Sequence, residues 1–282
     1  MIPNDSIETL LKWRGAASLG WLVVLLAWES VAPCYGLFRS GSDRGRHAVR
    51  NLVLALVNGL AIALIFAGLW RSVATWAEDN HFGLLNQLPW PDGVRWVAAV
   101  LLLDVWTYAW HRINHRVPLL WRLHRVHHTD AQMDVTTANR FHLGEIVLSS
   151  VLRIPLILLL GIGFGELVLY ETLLQVVVQW QHANIALPPR WERVVRWCLV
   201  TPGLHKVHHS RHQPETDSNY ASLLPIWDFL FRSLKFRDRP EEIRLGLDGF
   251  DTPEQQSVLG LAKLPFRRDP APRDEISPSL PR

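Results

Sequence analysis

Cysteine is almost absent from this chain of 282 residues, which contains only Cys34 and Cys198. So few cysteines exclude a disulfide framework and a cysteine-ligated zinc cluster. Charged residues are also scarce, at 20% of the chain against a usual share of about 25%. The formal net charge is only +3, and the arginines lie beside apolar runs, as in the cytoplasmic loops of membrane proteins, so we expect no nucleic-acid partner.

Apolar residues, by contrast, make up 49% of the chain, and most of them precede residue 182. Residues 15–38, 51–70 and 94–113 approach the roughly 20 apolar residues that cross a bilayer. The apolar region 146–180 is too long for one span and is interrupted by glycines at 161, 163 and 165, which indicates a helical hairpin with spans at 144–161 and 165–182. The sequence therefore predicts an all-α integral membrane helical bundle of about five spans.

The basic residues of the short loops predict the orientation. Loop 39–50 holds four arginines against one aspartate, whereas loop 71–93 holds one arginine against three acidic residues. The positive-inside rule then makes loop 39–50 cytoplasmic, and five spans place the polar regions and the C-terminus on the same side, with the N-terminus opposite. A signal peptide is the competing interpretation of the first span, but its apolar run is longer than an ordinary signal core and no small-x-small cleavage site follows. A lipoprotein signal is a weaker alternative, because Pro33 occupies the position where a small residue is expected.

We expect one domain, residues 1–264, in which the spans carry a cytoplasmic, histidine-rich helical cap formed by residues 111–145 and 183–264. The segment 265–282 contains five prolines and few apolar residues, which is typical of a disordered tail.

Thirteen histidines are the most unusual feature of the composition. Their spacing is that of metal ligands on helices, because imidazoles three or four residues apart share one helix face. One HxxxH pair and two identical HxxHH trios occur, and a single histidine lies at the end of the last predicted span: His111 and His115; His124, His127 and His128; His205, His208 and His209; and His182. We interpret the remote His47 and His81 as ordinary polar residues.

A polar stripe leads from the membrane interior to the first histidine pair. Asp104, Tyr108, His111 and His115 are separated by four, three and four residues and so fall on one face of a helix. A carboxylate inside a span costs about 2.5–3.5 kcal/mol and is usually functional. Asp104 is expected to accept the second ring N–H of a ligand histidine or to hold another polar group below the site, with a plain interhelical contact as the alternative, and Tyr108 is expected to line the substrate pocket.

Other polar residues at the same rim are candidates for a tenth ligand or for supporting hydrogen bonds. His142 and Glu145 can act as a ligand with a carboxylate partner or simply cap the hairpin. His212 follows the second trio by three residues and can be a ligand or shape the loop. The remaining candidates are Asn184, Asp217 and Asn219.

Nine or ten imidazoles are too many for one zinc ion, which takes four ligands, so two metal ions fit better. Imidazole binds iron, copper, nickel and zinc, and therefore does not select the metal. A hydrolytic zinc site would be expected to contain fewer ligands and a carboxylate base, yet no HExxH motif occurs. The membrane setting favours iron, because unactivated C–H bonds of lipids require oxygen chemistry.

The order of these residues resembles the fatty acid hydroxylase and sterol desaturase superfamily between about residues 100 and 232. The matching segments are Asp104-x3-Tyr108-x2-His111-Arg112-x2-His115, Leu120-Trp121-Arg122-x-His124-x2-His127-His128, Arg140-x-His142-x2-Glu145, His182-x-Asn184, and His205-x2-His208-His209 with Asp217-x-Asn219-Tyr220. Leu143 stands where the family often has proline, and residues 227–233 depart from its Trp-Asp-x-x-Phe-Gly-Thr segment. Both departures concern the shape of the rim.

The resemblance implies an all-α membrane oxygenase with two iron ions held by the nine histidines of the pair, the trios and position 182. It further implies hydroxylation or desaturation of a lipid such as a sterol or fatty acyl chain, with O2 and a separate electron donor, a ferredoxin or a cytochrome with its reductase. Zinc can replace iron in purified protein.

A basic surface, which contains Arg190, Arg193, Arg196 and Lys206, suits an acidic donor or lipid phosphates, or simply follows from the positive-inside rule. The alternative function is a histidine-rich metal transporter or sensor without redox chemistry. Transport favours ligands near the bilayer midplane, whereas here the histidines gather at one rim.

Overall fold

The computed structural model describes residues 4–268. In this range the fold is helical, and β-structure is limited to one isolated bridge between Ser210 and Leu245. The helices, in chain order, are α1 (Asn4–Val31), α2 (Gly41–Ala61), α3 (Ala67–Asp79), α4 (Asp92–Arg116), α5 (Pro118–His128), α6 (Leu143–Leu160), α7 (Phe164–His182), α8 (Pro189–Val195), α9 (Pro202–His208), α10 (Gln213–Thr216), α11 (Ile226–Leu230) and α12 (Val258–Lys263).

The helices α2 and α3 form one continuous rod, because the π-helical turn Ile62–Phe66 joins them. Two helical segments are long and apolar enough to cross a membrane, Gly41–Asn86 and Leu143–Leu160. Helices α4 and α7 cover two of the other predicted spans and α1 covers part of the first, and the number of spans stays a prediction. The predicted disordered tail lies outside the described residues from position 269 onward, whereas Leu264–Phe266 form a 3-10 turn.

The first predicted span, residues 15–38, differs from the helix that the structure contains. Helix α1 ends at Val31, two residues before Pro33, whose missing N–H and bulky ring disfavour a continuing helix. The chain then turns back toward the end of α7, where the backbone N–H of Cys34 donates to the carbonyl of Asn184 at 2.8 Å. The Asn184 side-chain amide also accepts the backbone N–H of Tyr35 and donates to the Tyr35 carbonyl, at 2.9 Å each.

The apolar core lies between α3, α4, α6 and α7. Its buried side chains include Trp70, Leu103, Ile157 and Tyr170. Trp70 has a polar atom that must be satisfied, and its indole N–H donates to the carbonyl of Ser150 at 3.1 Å. This core fixes how α4 and α7 are placed, and the C-terminal ends of these two helices carry three of the predicted ligands.

The turn between α6 and α7 is short and tightly packed. Gly161 ends α6 with φ +69°, a conformation that favours glycine. Arg95 of α4 clamps the turn, since its guanidinium donates to Glu166 at 2.7 Å and to the carbonyl of Gly161 at 3.0 Å. Beyond this turn the two helices pack mainly against different partners, with α6 on α3, α2 and α5, and α7 on α1, α4 and α9, although α3 also touches α7.

Buried polar groups join the cap to the helices below it. Glu29 of α1 accepts the backbone N–H of Val135 at 3.1 Å and that of Asn184 at 2.8 Å. Arg140 is fully buried and donates to the carbonyl of Val126 at 3.0 Å. Buried charges are tolerated only with such partners, and these contacts hold the loop between α5 and α6 beneath the histidine helices.

Candidate metal centre

Four helices bring the predicted ligands together. The last two turns of α4 carry the HxxxH pair, the C-terminal part of α5 carries the first HxxHH trio, the last residue of α7 is His182, and α9 with the residue after it carries the second trio. In α4, α5 and α9 the three- or four-residue spacing turns imidazoles to one side of the helix. α4 and α5 are consecutive, but α7 and α9 follow much later in the chain, so the site exists only once these distant segments have packed together.

The nine histidines form two buried groups, within each of which the possible ligand atoms all lie within 4.8 Å of one another. The five-histidine group contains His111, His115, His124, His128 and His208. The four-histidine group contains His127, His182, His205 and His209. Each trio divides between the groups, as expected for adjacent residues that point roughly 100° apart on a helix.

Hydrogen bonds from Nδ1 set the orientation of the rings in the five-histidine group. The Nδ1 of His111 lies 2.7 Å from the carbonyl of Tyr220, and the Nδ1 of His208 lies 2.7 Å from the carbonyl of Ser218. A carbonyl oxygen only accepts hydrogen bonds, so both Nδ1 atoms carry the proton. In the neutral ring Nε2 then carries the free lone pair. His124 is held in the same way, because its Nδ1 lies 2.8 Å from the Glu145 carboxylate.

The Nε2 atoms of these rings converge. The Nε2 of His111 lies 3.0 Å from that of His208 and 3.1 Å from that of His124. Because Nδ1 already holds the proton in all three neutral rings, no N–H lies between these atoms, and the contacts bring lone pair against lone pair. Such an arrangement is repulsive unless a cation lies between the nitrogens.

The four-histidine group repeats this pattern around His182. Its Nδ1 lies 2.7 Å from the carbonyl of Val178, four residues earlier in α7. Its Nε2 lies 3.0 Å from the Nε2 of both His127 and His205, and the Nε2 of His209 follows at 3.2 Å from that of His205. One ring again presents its lone pair to its neighbours while a backbone carbonyl takes its proton.

The distances and the chemistry of the donors fit metal ions. At a metal–nitrogen distance of about 2.1 Å, neighbouring ligand atoms are about 3.0 Å apart in an octahedron and about 3.4 Å apart in a tetrahedron. The observed separations of 3.0–3.2 Å lie in this range. Among the buried side chains that the structure describes, further ring nitrogens of this set lack a hydrogen-bond partner, namely both of His115 and the Nδ1 atoms of His127, His128, His205 and His209.

The histidines of the cap are held neutral, as metal ligands must be. Burial lowers the pKa of His128, His208 and His209 well below the usual value, and repulsion among the neighbouring imidazoles lowers it further. Protons therefore do not compete for these nitrogens at neutral pH, and two cations would remove the repulsion between the Nε2 lone pairs.

Three of the predicted supporting residues lie around the five-histidine group. Glu145 binds His124 directly. A carboxylate oxygen of Asp217 lies 3.5 Å from the Nδ1 of His115, close to hydrogen-bond distance. Asn219 acts on the backbone, since its side-chain amide donates to the carbonyls of Leu204 and Lys235 at 3.0 and 2.9 Å and so joins the start of α9 to a later loop.

Asp104 and Tyr108 lie below the histidines but contact other residues. The Asp104 carboxylate accepts the backbone N–H of Leu224 at 3.1 Å and the indole N–H of Trp227 at 2.6 Å. It therefore holds the cap loop, which is the second of the two roles expected from the sequence. The Tyr108 hydroxyl lies 2.8 Å from the hydroxyl of Ser233, and its side chain borders a shallow groove on the outer side of α4.

His142 and His212 lie outside both groups. The Nδ1 of His142 accepts the backbone N–H of Gly144 at 2.9 Å and so caps α6, and its Nε2 lies 3.1 Å from the carbonyl of Ala262. His212 is exposed and directly precedes α10. His47, by contrast, is buried in an ion pair with Asp130 at 2.9 Å.

A cavity of about 210 Å³ leads to the histidines from between α4, α6 and α7. It occupies the space that the divergence of α6 and α7 leaves open. Five ligand rings form one end of it: His111, His124, His127, His182 and His205. Its walls are largely apolar and include Trp106, Trp110, Ile146, Leu174 and Val178. The arrangement suits an apolar molecule that reaches the metal centre with one end.

The profile of one protein family, described as fatty acid hydroxylase, matches residues 96–233, the segment that holds all nine histidines. The chain belongs to the fatty acid hydroxylase superfamily. No solved structure matches the chain significantly.

Curated relatives of this fatty acid hydroxylase chain come from several organisms. Alkylglycerol monooxygenase of Homo sapiens is 32% identical over 170 residues, which cover 60% of this chain and 36% of that protein. Ornithine lipid hydroxylase OlsE of Rhizobium tropici is 28% identical over 245 residues, 85% of this chain and 72% of OlsE. A cholesterol 25-hydroxylase-like protein of Danio rerio is 28% identical, over 59% of this chain and 63% of that protein. The chain thus spans about a third of the length of the alkylglycerol monooxygenase that it matches.

Sequence reasoning missed several functional contacts of this fatty acid hydroxylase fold. The backbone carbonyls that hold His111, His182 and His208 carry no sequence signal, because any residue supplies a carbonyl. The cavity also contains an ion pair between Arg153 of α6 and Glu171 of α7. The sequence did contain a signal for this ion pair, since the two charged residues interrupt the predicted spans 144–161 and 165–182.

Proposed function

We propose that this protein is a membrane-bound di-iron oxygenase that hydroxylates or desaturates a lipid at an unactivated C–H bond. The observation that carries the proposal is the convergence of nine imidazoles, in two groups, at the end of a largely apolar cavity. The match to the fatty acid hydroxylase family and the lipid hydroxylases and monooxygenases among the relatives support it. When bound, the two ions would supply the oxygen-activating redox chemistry that such a bond requires.

The chain's own residues prepare this chemistry. Carbonyls and Glu145 fix the Nδ1–H tautomers of His111, His124, His182 and His208, which makes the basic Nε2 atoms available to the ions. The apolar walls exclude water and align an apolar chain with its reacting carbon at the histidine end. Ordered ligands and a dry cavity together limit the reaction to a bound lipid.

We propose that the protein lies in the membrane with about five spans and that its cap is cytoplasmic. The two long apolar helical segments support membrane insertion, and the arginines of loop 39–50 support this orientation. The electron donor is then a separate cytoplasmic protein, a ferredoxin or a cytochrome with its reductase.

The test is anaerobic purification with metal analysis, followed by exposure to 18O2, a reductant and membrane lipids. We expect about two iron ions per chain and a lipid product that forms only with O2 and, for hydroxylation, carries one labelled oxygen atom. Stoichiometric zinc without any O2-dependent product would instead indicate a metal transporter or sensor and would overturn the proposal.

Two histidine variants make the test specific. His208→Ala removes a ring of the five-histidine group, and we expect loss of metal and of turnover with membrane insertion retained. His212→Ala is the matched control, because this exposed histidine lies outside both groups and its loss should change neither. Full activity of His208→Ala would contradict the ligand assignment.

A further inference from the structure

The ion pair of Arg153 and Glu171 lies in the wall of the cavity, within two helices that we place in the membrane. The side chains expose 14% and 21% of their surface, respectively. A charge at this depth is costly and marks a functional position more often than a structural one. The pair therefore requires an explanation beyond the packing of α6 against α7.

The Arg95–Glu166 pair shows what a structural ion pair in this fold contains. Arg95 also donates to the carbonyls of Leu85 and Gly161, at 2.8 and 3.0 Å, and Glu166 accepts the backbone N–H of Gly163 at 2.8 Å. These bonds close the turn and leave little capacity unused.

Arg153 and Glu171 differ from that pair. Among the described residues, neither has a hydrogen-bond partner besides the other, although the Arg153 guanidinium lies 5.3 Å from the centre of the Trp70 ring. A guanidinium has five N–H donors and a carboxylate about four acceptor sites. Unused donors and acceptors are thus adjacent in an otherwise largely apolar cavity.

We propose that Arg153 and Glu171 bind a neutral polar group of the lipid, such as a hydroxyl, which both donates and accepts a hydrogen bond. The inference rests on the proposed function, since it describes the substrate of that same cavity. The pair carries no net charge, so a carboxylate or an ammonium is attracted by one member and repelled by the other and gains no net attraction to offset the loss of its hydration. A hydroxyl can accept from the guanidinium and donate to the carboxylate at once.

The helix geometry sets the distance between this group and the metal centre. Arg153 follows Glu145 by eight residues in α6, and Glu171 precedes His182 by eleven in α7, which correspond to about 12 and 16 Å along the helices. An extended carbon chain advances by roughly 1.3 Å per bond at bond lengths of about 1.5 Å. The oxidised carbon then lies about nine to twelve bonds from the polar group.

Binding measurements on the full-length, metal-loaded protein in detergent test the proposal without turnover. Tritiated dodecan-1-ol is the probe in a scintillation proximity assay, with dodecanoate and dodecylammonium as competitors of equal chain length. We expect the alcohol to bind at least tenfold more tightly than either ion, as for hydrogen bonds to charged groups. Equal affinity of the alcohol and the carboxylate would overturn the proposal.

A charge-changing variant should gain affinity for one probe, a result that misfolded protein cannot produce. In Glu171→Gln only the positive charge of Arg153 remains, so we expect dodecanoate to bind more tightly than dodecan-1-ol. Val151→Ala is the control, because Val151 is an exposed residue of the same helix and should leave the order of the ligands unchanged. If a folded Glu171→Gln protein binds the probes with the same order of affinity as the wild type, the assignment is refuted. If that variant does not fold, the order of affinities in the wild-type protein decides.

The two proposals fail separately. Selective binding of the alcohol without any O2-dependent product would support this inference and overturn the proposed oxygenase function. An O2-dependent product together with equal binding of all three probes would support the oxygenase function and overturn this inference.

Discussion

The Glu145 carboxylate should determine how tightly the five-histidine group holds its metal. Its oxygen lies 2.8 Å from the Nδ1 of His124 and also accepts a longer bond, at 3.4 Å, from the side chain of Asn114. Glu145→Gln keeps the size and the acceptor oxygen but removes the charge, which makes the imidazole a poorer donor to the metal. Loss of such a partner typically lowers metal affinity by about 10- to 100-fold.

Asp104→Asn is the matched change, since it also neutralises a buried carboxylate. Asp104 contacts the cap through Leu224 and Trp227 rather than through a histidine. An amide can turn an N–H toward these donors, so we expect a loss of about 1–3 kcal/mol in the free energy of unfolding. Metal affinity should change less than twofold.

The assay is competition with a chelator, followed by metal analysis of the retained protein, alongside thermal unfolding of the metal-free forms of the same variants. We expect two opposite results: weakened metal binding with little change in the melting of the metal-free protein for Glu145→Gln, and lowered melting of the metal-free protein with normal metal binding for Asp104→Asn. If Glu145→Gln retains metal as the wild type does, or if Asp104→Asn loses it equally, the assigned contacts do not have these roles.

Three further predictions concern stability. Removal of the metals should lower the melting temperature by several degrees and readdition should restore it, because the converging Nε2 lone pairs otherwise repel one another and bound ions stabilise the folded state; an unchanged melting temperature would argue against resident ions. Burial disfavours the charged form of His47, but the carboxylates of Asp130 and Asp134 outweigh this effect and raise its pKa to about 9. The resulting stabilisation, up to about 3 kcal/mol, is complete below the unfolded pKa of about 6.5 and is lost as the pH rises through 9. In His47→Gln the free energy of unfolding, measured by denaturant titration, should therefore fall less between these two pH values than in the wild type, and an equal fall in both proteins would contradict the ion pair. Gly83→Ala should destabilise the fold by more than about 2 kcal/mol, since the residue has φ +92° and a Cβ would lie 2.3 Å from the backbone of Gly161. The control Gly59→Ala has open space around the new methyl group and should be neutral or stabilising. Similar melting temperatures of the two variants would show that the turn can relax.

Family membership and the helical fold class could be predicted from the sequence, because both depend on local patterns. The fatty acid hydroxylase family was recognised from the histidine spacing and is confirmed by the family match to residues 96–233. The HxxHH trios supply paired imidazoles on any helix, whatever surrounds them. The assignment of the nine histidines as ligands remains a prediction until metal is measured, although the structure brings all of them together.

The partners of the polar residues could not be predicted, because they depend on tertiary packing. Asp104 shares a helix face with His111, and yet it binds Trp227 of α11, which comes more than a hundred residues later in the chain. The glycines at 161, 163 and 165 indicated a turn but not the divergence of α6 and α7, which arises from the different helices that each one packs against. The cavity between them therefore had no sequence signal of its own.

The divergence of α6 and α7 also links the metal centre to substrate choice. Glu145 and Arg153 lie on α6, while His182 and Glu171 lie on α7, so each helix carries one group that acts at the histidines and one at the polar pair. A shift of both helices together along their axes would move both ends of the site and preserve their separation. A shift that opens the two helices would instead break the ion pair first, because the histidines are held by four elements and the pair by only two. Substrate range should therefore change more easily than the metal site.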